Sequence, residues 1–287
     1  MLKGLLYKIL TESAFKKLSK KFHVFKKKAY NPLSEDDFKR VLEKECGLVK
    51  GDVVFVHSSI DKLNIDFPFY KIIVLLQEVV GETGTLLYPC WHFRERAEEY
   101  LKNEENIFDV KKSRSVLGIL SEFSRRQKDS HRSEHPINSV VASGKNALGF
   151  VKDHNQSIYP CGERSPYYKL VEAGGKIIGL GERTVSLSFV HCVEDLMKDN
   201  FPMVTRNKEV YNAKVKIVNA DVITVQTLCA HKNINNRDIP SFISKHIKQS
   251  TCREFKVAGN QFFTANATQL FAEMKVLAEA GKTIYKR

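Results

Sequence analysis

The chain reads as an α/β protein: a central mixed β-sheet flanked by helices, with a hairpin-rich C-terminal part and an extra basic helix at its N-terminus. Three observations predict this. Buried strand-like runs alternate with helical runs as far as about residue 200, the pattern that builds a sheet with crossover helices. Beyond that point, pairs of alternating runs joined by short turns read as hairpins. The first 28 residues hold nine lysines against one acid, Glu12, and so carry +8 of the chain's +13. In that segment Leu2, Leu5, Ile9, Phe15, Leu18, Phe22 and Phe25 recur at helical spacing.

The elements follow in order. After Asn31-Pro32-Leu33, Ser34 is an N-cap with Glu35, Asp36 and Asp37 in the first turn, and the helix runs to Cys46 before Gly47. "DVVFVHSS" (52–59) is a buried strand. "FYKIIVLLQEVVG" is a buried helix, and "GTLLYPC" a turn and a second strand that Pro89 ends. Residues 93–112 are charged and aperiodic, a lid or excursion. "VLGILSEFSRR" is a helix, "SVVASG" and "GGKIIGLG" are strands, and "VSLSFVHCVEDLM" is an amphipathic helix. A hairpin turns at Asn219-Ala220-Asp221, "DIPSFISKHIK" is a short helix, a second hairpin turns at Gly259-Asn260, and "ATQLFAEMKVLAEAG" closes the chain. The domain reading is a basic amphipathic arm, 1–30, and one body, 31–287, whose residues 205–287 are its hairpin-rich part.

Composition bounds the class. At 287 residues, 43% hydrophobic and 28% charged, this is an ordinary globular chain with room for a large core. No apolar run approaches the roughly 18 to 20 residues of a membrane span, and lysines interrupt the N-terminal apolar runs, unlike a signal peptide. Six cysteines are scattered with no C-x-x-C pair, which reads as reduced core thiols in a cytoplasmic protein. The basic arm fits a helix docked on the body or a partner subunit, or one lying on an anionic inner-membrane surface. Nucleic-acid binding is the least favoured reading, and no nucleic-acid partner is expected.

There is no G-x-G-x-x-G, Walker loop, G-x-S-x-G or H-E-x-x-H. What remains is polar clusters at strand and loop ends, where open α/β sheets bind ligands. These are Ser58-Ser59, Cys90–Glu95, Arg132–Ser139, Cys161–Pro166 and His191–Glu194. Seven blocks then occur in order: "GDVVFVHSSI", "GETGTLLYP", "LGILSEFSRR", "RSEHPINSVVASG", "GERSPYYKL", "GGKIIGLG" and "SFVHCVED". Together they resemble the aminoglycoside 3-N-acetyltransferase family over about residues 34 to 200, weakly in the C-terminal third and not in the arm.

The resemblance implies an N-acyltransferase that moves an acetyl or other acyl group from an acyl-CoA to an amine of an aminosugar. The acceptor is either an aminoglycoside or a nucleotide-linked aminosugar, and no metal is expected. It implies CoA contacts at Ser58 and Ser59, and at the turn formed by Arg132, Ser133, His135, Pro136 and Ser139. Against these stand a helix N-cap pair and a structural turn, and Pro136 argues against His131 and His135 as a metal pair on one helix. His191 and Glu194 match the family's H-x-x-E on the acceptor side, or anchor a helix to the core. The sequence departs from the pattern where an acid is expected after the second strand, leaving His92 and Glu95 there. A histidine expected before "G-x-x-SP" is displaced, leaving His154, with Tyr159 and Cys161 nearer, and His231 replaces a late acid. Catalytic candidates are therefore Glu95, His135, His154 and Cys161. The proposed chemistry is direct base-assisted attack; rivals are a covalent route through Cys161 and a non-catalytic CoA- or nucleotide-binding member tethered by its arm. Homo-oligomerisation stays open.

Overall fold

The computed structural model describes residues 29–218 and 221–286. The basic helix expected within 1–28 and most of the hairpin tip at 219–221 lie outside the described residues.

The elements are α1 (Glu35–Arg40), β1 (Val53–Ser58), α2 (Lys71–Val80), β2 (Thr85–Pro89), α3 (Ala97–Lys102), β3 (Ile107–Asp109), α4 (Ile119–Arg125), β4 (His131–Arg132) and β5 (Val140–Gly144). There follow α5 (Ala147–Val151), α6 (Pro166–Glu172), β6 (Lys176–Leu180), α7 (His191–Met197), β7 (Arg206–Lys216), β8 (Val222–Ala230), α8 (Ile239–His246), β9 (Cys252–Val257), β10 (Asn260–Asn266) and α9 (Ala267–Glu279). Ser34 caps α1 as expected: its hydroxyl accepts the Asp37 amide at 3.1 Å.

Seven strands form one sheet in the order β4-β5-β2-β1-β6-β10-β9. Its centre is parallel, β1 pairing with β2 and with β6, and antiparallel strands close both sides. Helices cover both faces, because alternate residues of each central strand feed opposite cores. Phe55, Leu87 and Ile177 pack with α5 to α9, while Val54, Val56, Leu86 and Ile178 pack with α1, α2 and α4. Gly179 sits opposite Phe263 across the β6–β10 pair, and a Cβ there would lie 2.0 Å from that ring.

Two local readings change, and one is filled in. The excursion 93–112 holds α3 and β3, and β3 joins β7 and β8 in a separate three-stranded sheet. Its aperiodic sequence hid a strand of only three residues. The run 185–197 is α-helical only from His191; before it come two single 3₁₀ turns, Thr184–Ser186 and Ser188–Val190. The last hairpin turns at Ala258-Gly259, both with positive φ, one residue before the predicted place. A helix the sequence reading missed, α6, starts at Pro166 behind the Ser165 cap. All six cysteines are free and buried. Among the described residues, no helix is long and apolar enough to cross a membrane.

Candidate active site

The three parallel strands end on the same edge of the sheet, where such sheets bind ligands. A cleft of about 280 Å³ opens there. His57 and Ser58 come from the end of β1, and Pro89 and Trp91 from the end of β2. Glu182 to Ser188 follow β6, His191 begins α7, and Arg237 and Ile239 lead into α8. Gly181, at φ 69°, turns the chain out of β6; a Cβ there would lie 2.5 Å from the Ser59 carbonyl.

Among the described residues, His191 and His57 are the histidines on this lining. His191 Nδ1 meets Glu194 Oε2 at 3.0 Å, and its side chain is 13% exposed. The spacing is dictated by the helix, since positions three apart share a face. The Tyr285 hydroxyl donates to the other Glu194 oxygen at 2.6 Å. Burial pushes the Glu194 carboxyl up, but His191, Tyr285 and Arg206 together outweigh it and hold the group below its ordinary range. An ionised Glu194 accepts from His191 Nδ1–H, which leaves Nε2 as the free base nitrogen. Next along α7, Asp195 is fully buried, paired with Arg206 at 2.6 Å, and accepts the Cys161 amide at 2.8 Å. This pair locks the helix to the 161–166 loop.

The structure gathers the other predicted residues elsewhere. Arg132 is buried with its guanidinium spread over backbone carbonyls of Cys90, Val110 and Ser113 and the Ser139 hydroxyl, and it stacks on Phe108. Burial pulls its pKa down to about 10. Each nitrogen of the fork is engaged within the protein, so Arg132 clasps the excursion to the sheet. Ser133 accepts the Val140 amide at 2.9 Å and meets His154 Nδ1 at 2.9 Å. Ser139 donates to Cys90 O at 2.6 Å. His135 is buried, held by Ile137 through Nδ1, and stacked on His154 at 4.6 Å. Pro136 is buried beside it. The whole 132–139 block is thus an interior turn, and none of its members lines the cleft.

His154 is fully buried, with both ring nitrogens engaged, by Ser133 and by the Pro160 carbonyl at 2.8 Å. Burial lowers its basicity far below the usual imidazole range, and the His135 ring adds to the effect. Cys161 is also fully buried; burial and then the Asp195 charge push its thiol pKa well up. A base or nucleophile needs access to the bound amine or thioester, and these two side chains have none. Glu95 is exposed, and its carboxylate accepts the neighbouring Arg94 amide. His92 stacks on Phe108 at 4.3 Å, and burial lowers its pKa to about 3. Neither lines the cleft. Ser59 donates to Asp61 at 3.0 Å, and His231 caps the following turn. Of the candidates, Ser58 and His191 reach the cleft, with Glu194 directly behind.

Sequence reasoning missed His57, Trp91, Glu182, Ser188, Arg237 and Tyr285. Two carried a signal: His57 is the first polar residue after the apolar run Val53–Val56, and Trp91 is the chain's one tryptophan, two residues past Pro89.

Parallel strands ending on a cleft that holds a carboxylate-oriented imidazole define a class, an α/β fold with a histidine–glutamate pair at the strand ends. Within that class, the chain belongs to the aminoglycoside 3-N-acetyltransferase family, whose sequence model matches residues 55–279. It is 30% identical over 160 residues to aminoglycoside N(3)-acetyltransferase III of Serratia marcescens, covering 52% of this chain and 59% of that protein. The matched stretch thus spans less than two thirds of the relative's length. Among solved structures, aminoglycoside acetyltransferase AAC(3)-Xa superposes with a TM-score of 0.74 at 21% identity, covering 92% of this chain and 98% of that one. AAC-IIIb, solved as a binary complex with CoASH, superposes at 0.70 and 22% identity, covering 89% and 99%. These two likenesses show the fold.

Proposed function

We propose that this chain transfers an acetyl or other acyl group from an acyl-CoA to an amine of an aminosugar. The observation that carries the reading is His191, set at the cleft with Nδ1 held by Glu194 and with no partner for Nε2 among the described residues. Family membership and a structural neighbour solved with CoASH support the CoA thioester as co-substrate. The amine gives its proton to His191 Nε2 as its nitrogen attacks the thioester carbonyl carbon. The tetrahedral intermediate collapses, the C–S bond breaks, and the thiolate of CoA leaves and takes up a proton. Glu194 fixes the tautomer and stabilises the imidazolium, and Tyr285 fixes Glu194. The route needs no metal. Of the CoA contacts that the resemblance implies, Ser58 alone faces this cleft.

The names of the relatives, and a neighbour solved with sisomicin bound, favour an aminoglycoside acceptor. The charge of the cleft favours a less cationic one. Among the described residues its one lining carboxylate, Glu182, is already paired with Lys62 at 2.8 Å, and Arg237 stands nearby. A polycation is better served by an acidic site, so an anionic nucleotide-linked aminosugar is the second reading.

The test is thiol release from acetyl-CoA with each acceptor class, with kcat/KM compared. His191→Ala should cut kcat by roughly 10² to 10⁴. CoA binding measured by calorimetry with no turnover of either class would favour the non-catalytic binding protein instead. The division into an arm, 1–30, and an acyltransferase body, 31–287, belongs to the same proposal. Liposome sedimentation with and without residues 1–28 separates membrane contact from docking on the body.

A further inference from the structure

Among the described residues, four polar atoms around the floor of the cleft are buried with no hydrogen-bond partner of good geometry: His57 Nε2, Trp91 Nε1, Tyr167 Oη and Ser188 Oγ. They come from four places in the sequence: the end of β1, the segment after β2, α6, and the 3₁₀ turn before α7. His57, Trp91 and Ser188 line the cleft. Tyr167 is fully buried behind them, with Trp91 and Ser188 beside its hydroxyl. Buried polar groups are nearly always hydrogen-bonded; these four gather at one cleft, and Trp91, Ser188 and Tyr167 have only one another within reach, so together they can receive a ligand atom.

The chemistry of that atom follows from its neighbours. An indole N–H only donates, so the atom facing Trp91 is an acceptor. The Ser188 and Tyr167 hydroxyls can each donate as well, and they lie beside one another. Burial pushes the Tyr167 pKa well up, which keeps its proton on the oxygen. Burial also pulls His57 down to about 3, so that ring is neutral. The His57 ring lies 5.2 Å from Phe55 and 5.9 Å from Phe263, and Phe55 lies 5.2 Å from Tyr167. None of the four atoms carries charge, and the walls are aromatic. A phosphate or carboxylate is met by cations; a group of neutral donors suits an oxygen that becomes negative only during reaction.

We propose that Trp91 Nε1–H and Ser188 Oγ–H, backed by the Tyr167 hydroxyl, receive the thioester carbonyl oxygen of the acyl-CoA and hold it as the oxyanion. The assignment rests on the acyltransferase reading above. As the amine nitrogen bonds to the carbonyl carbon, the C=O electron pair moves onto this oxygen and the three donors hold it. When the pair returns, C=O reforms, the C–S bond breaks and the thiolate departs, while the amine proton has passed to His191.

The test uses Trp91→Phe, Ser188→Ala and Tyr167→Phe, each removing a donor and keeping most of the shape. Trp91→Phe and Ser188→Ala should each lower kcat by about 10², with the Kd for CoA unchanged, and Tyr167→Phe by less. A second readout needs no turnover. The wild type should bind acetyl-CoA about fivefold more tightly than S-ethyl-CoA, which lacks the carbonyl oxygen. Trp91→Phe should narrow that difference, since one donor of the three is lost. Equal affinity of the wild type for the two ligands overturns the proposal, even where a variant fails to fold. So does a kcat within about threefold of wild type in folded Trp91→Phe and Ser188→Ala, well short of one lost donor. A wild type that turns over no amine overturns this proposal and the acyltransferase reading together; an active wild type with unaffected variants overturns this one alone.

Discussion

Glu194→Gln tests the site most directly. The carboxylate has two jobs, accepting from His191 Nδ1 at 3.0 Å and from the Tyr285 hydroxyl at 2.6 Å. An amide has one oxygen and one NH₂. Tyr285 donates, so the amide oxygen turns to Tyr285 and the NH₂ faces His191. That geometry favours a lone pair on Nδ1 and puts the imidazole proton on Nε2, where the base is needed. Losing the base function removes roughly 10² to 10⁴ in rate, which is about 2.7 to 5.4 kcal/mol of transition-state stabilisation at 1.36 kcal/mol per factor of ten. The assay is thiol release under saturating acetyl-CoA, with circular dichroism to verify the fold and calorimetry to verify that CoA still binds. Adding Tyr285→Phe gives a sharper check. Without the tyrosine donor, the new side-chain amide is free to turn its oxygen to His191 and restore the tautomer, so the double variant should be faster than the single one. A single variant within about threefold of wild type would leave no room for the base function estimated above. A double variant slower than the single would refute the tautomer reasoning.

Other expectations concern the frame around the site. Asp195→Asn leaves Arg206 buried without its counter-charge; removing one partner of a buried pair costs about 3 to 5 kcal/mol, readable as a lower urea midpoint. Glu122 is held down to about 2 by Arg125, with the Ser115 amide and Arg126 adding to it against a burial effect that raises it. A depressed carboxylate pKa stabilises the fold above its unfolded value and loses that contribution as pH falls through the folded one. The stability gap between wild type and Glu122→Gln should therefore be full at pH 7 and shrink between about pH 4.5 and pH 2. Cys161→Ser should leave turnover within about twofold of wild type, since a thiol with no access performs no covalent step; a dead but folded variant would return the covalent route to consideration.

The layered sheet was legible because burial writes itself into sequence. Val53 to His57, Thr85 to Tyr88 and Lys176 to Leu180 are apolar runs bounded by turn residues, and each became a central strand. The resemblance located the family through short blocks, but it could not separate block residues that face a ligand from those that hold a loop. Arg132, Ser133 and His154 look reactive in one dimension, yet each spends its hydrogen bonds on the main chain or on a neighbouring side chain, and His135 is buried with its Nδ1 held by Ile137. Tyr285 lies 91 residues from Glu194, and no local pattern announces such a contact. The excursion was illegible for a related reason: β3 is three residues long and exists only because β7 offers it a parallel edge.

The burial of every cysteine has a practical consequence. Burial lifts the thiols of Cys46, Cys229 and Cys252 to about 12 and pushes those of Cys90, Cys161 and Cys192 up as well, and disulfide reagents react with thiolates that they can reach. The folded chain should therefore add almost no background to a colorimetric thiol titration of released CoA. The same reagent, added to protein in denaturant, should count six equivalents per chain. One cuvette can thus serve to follow the proposed turnover of the native protein and as a clock for its unfolding.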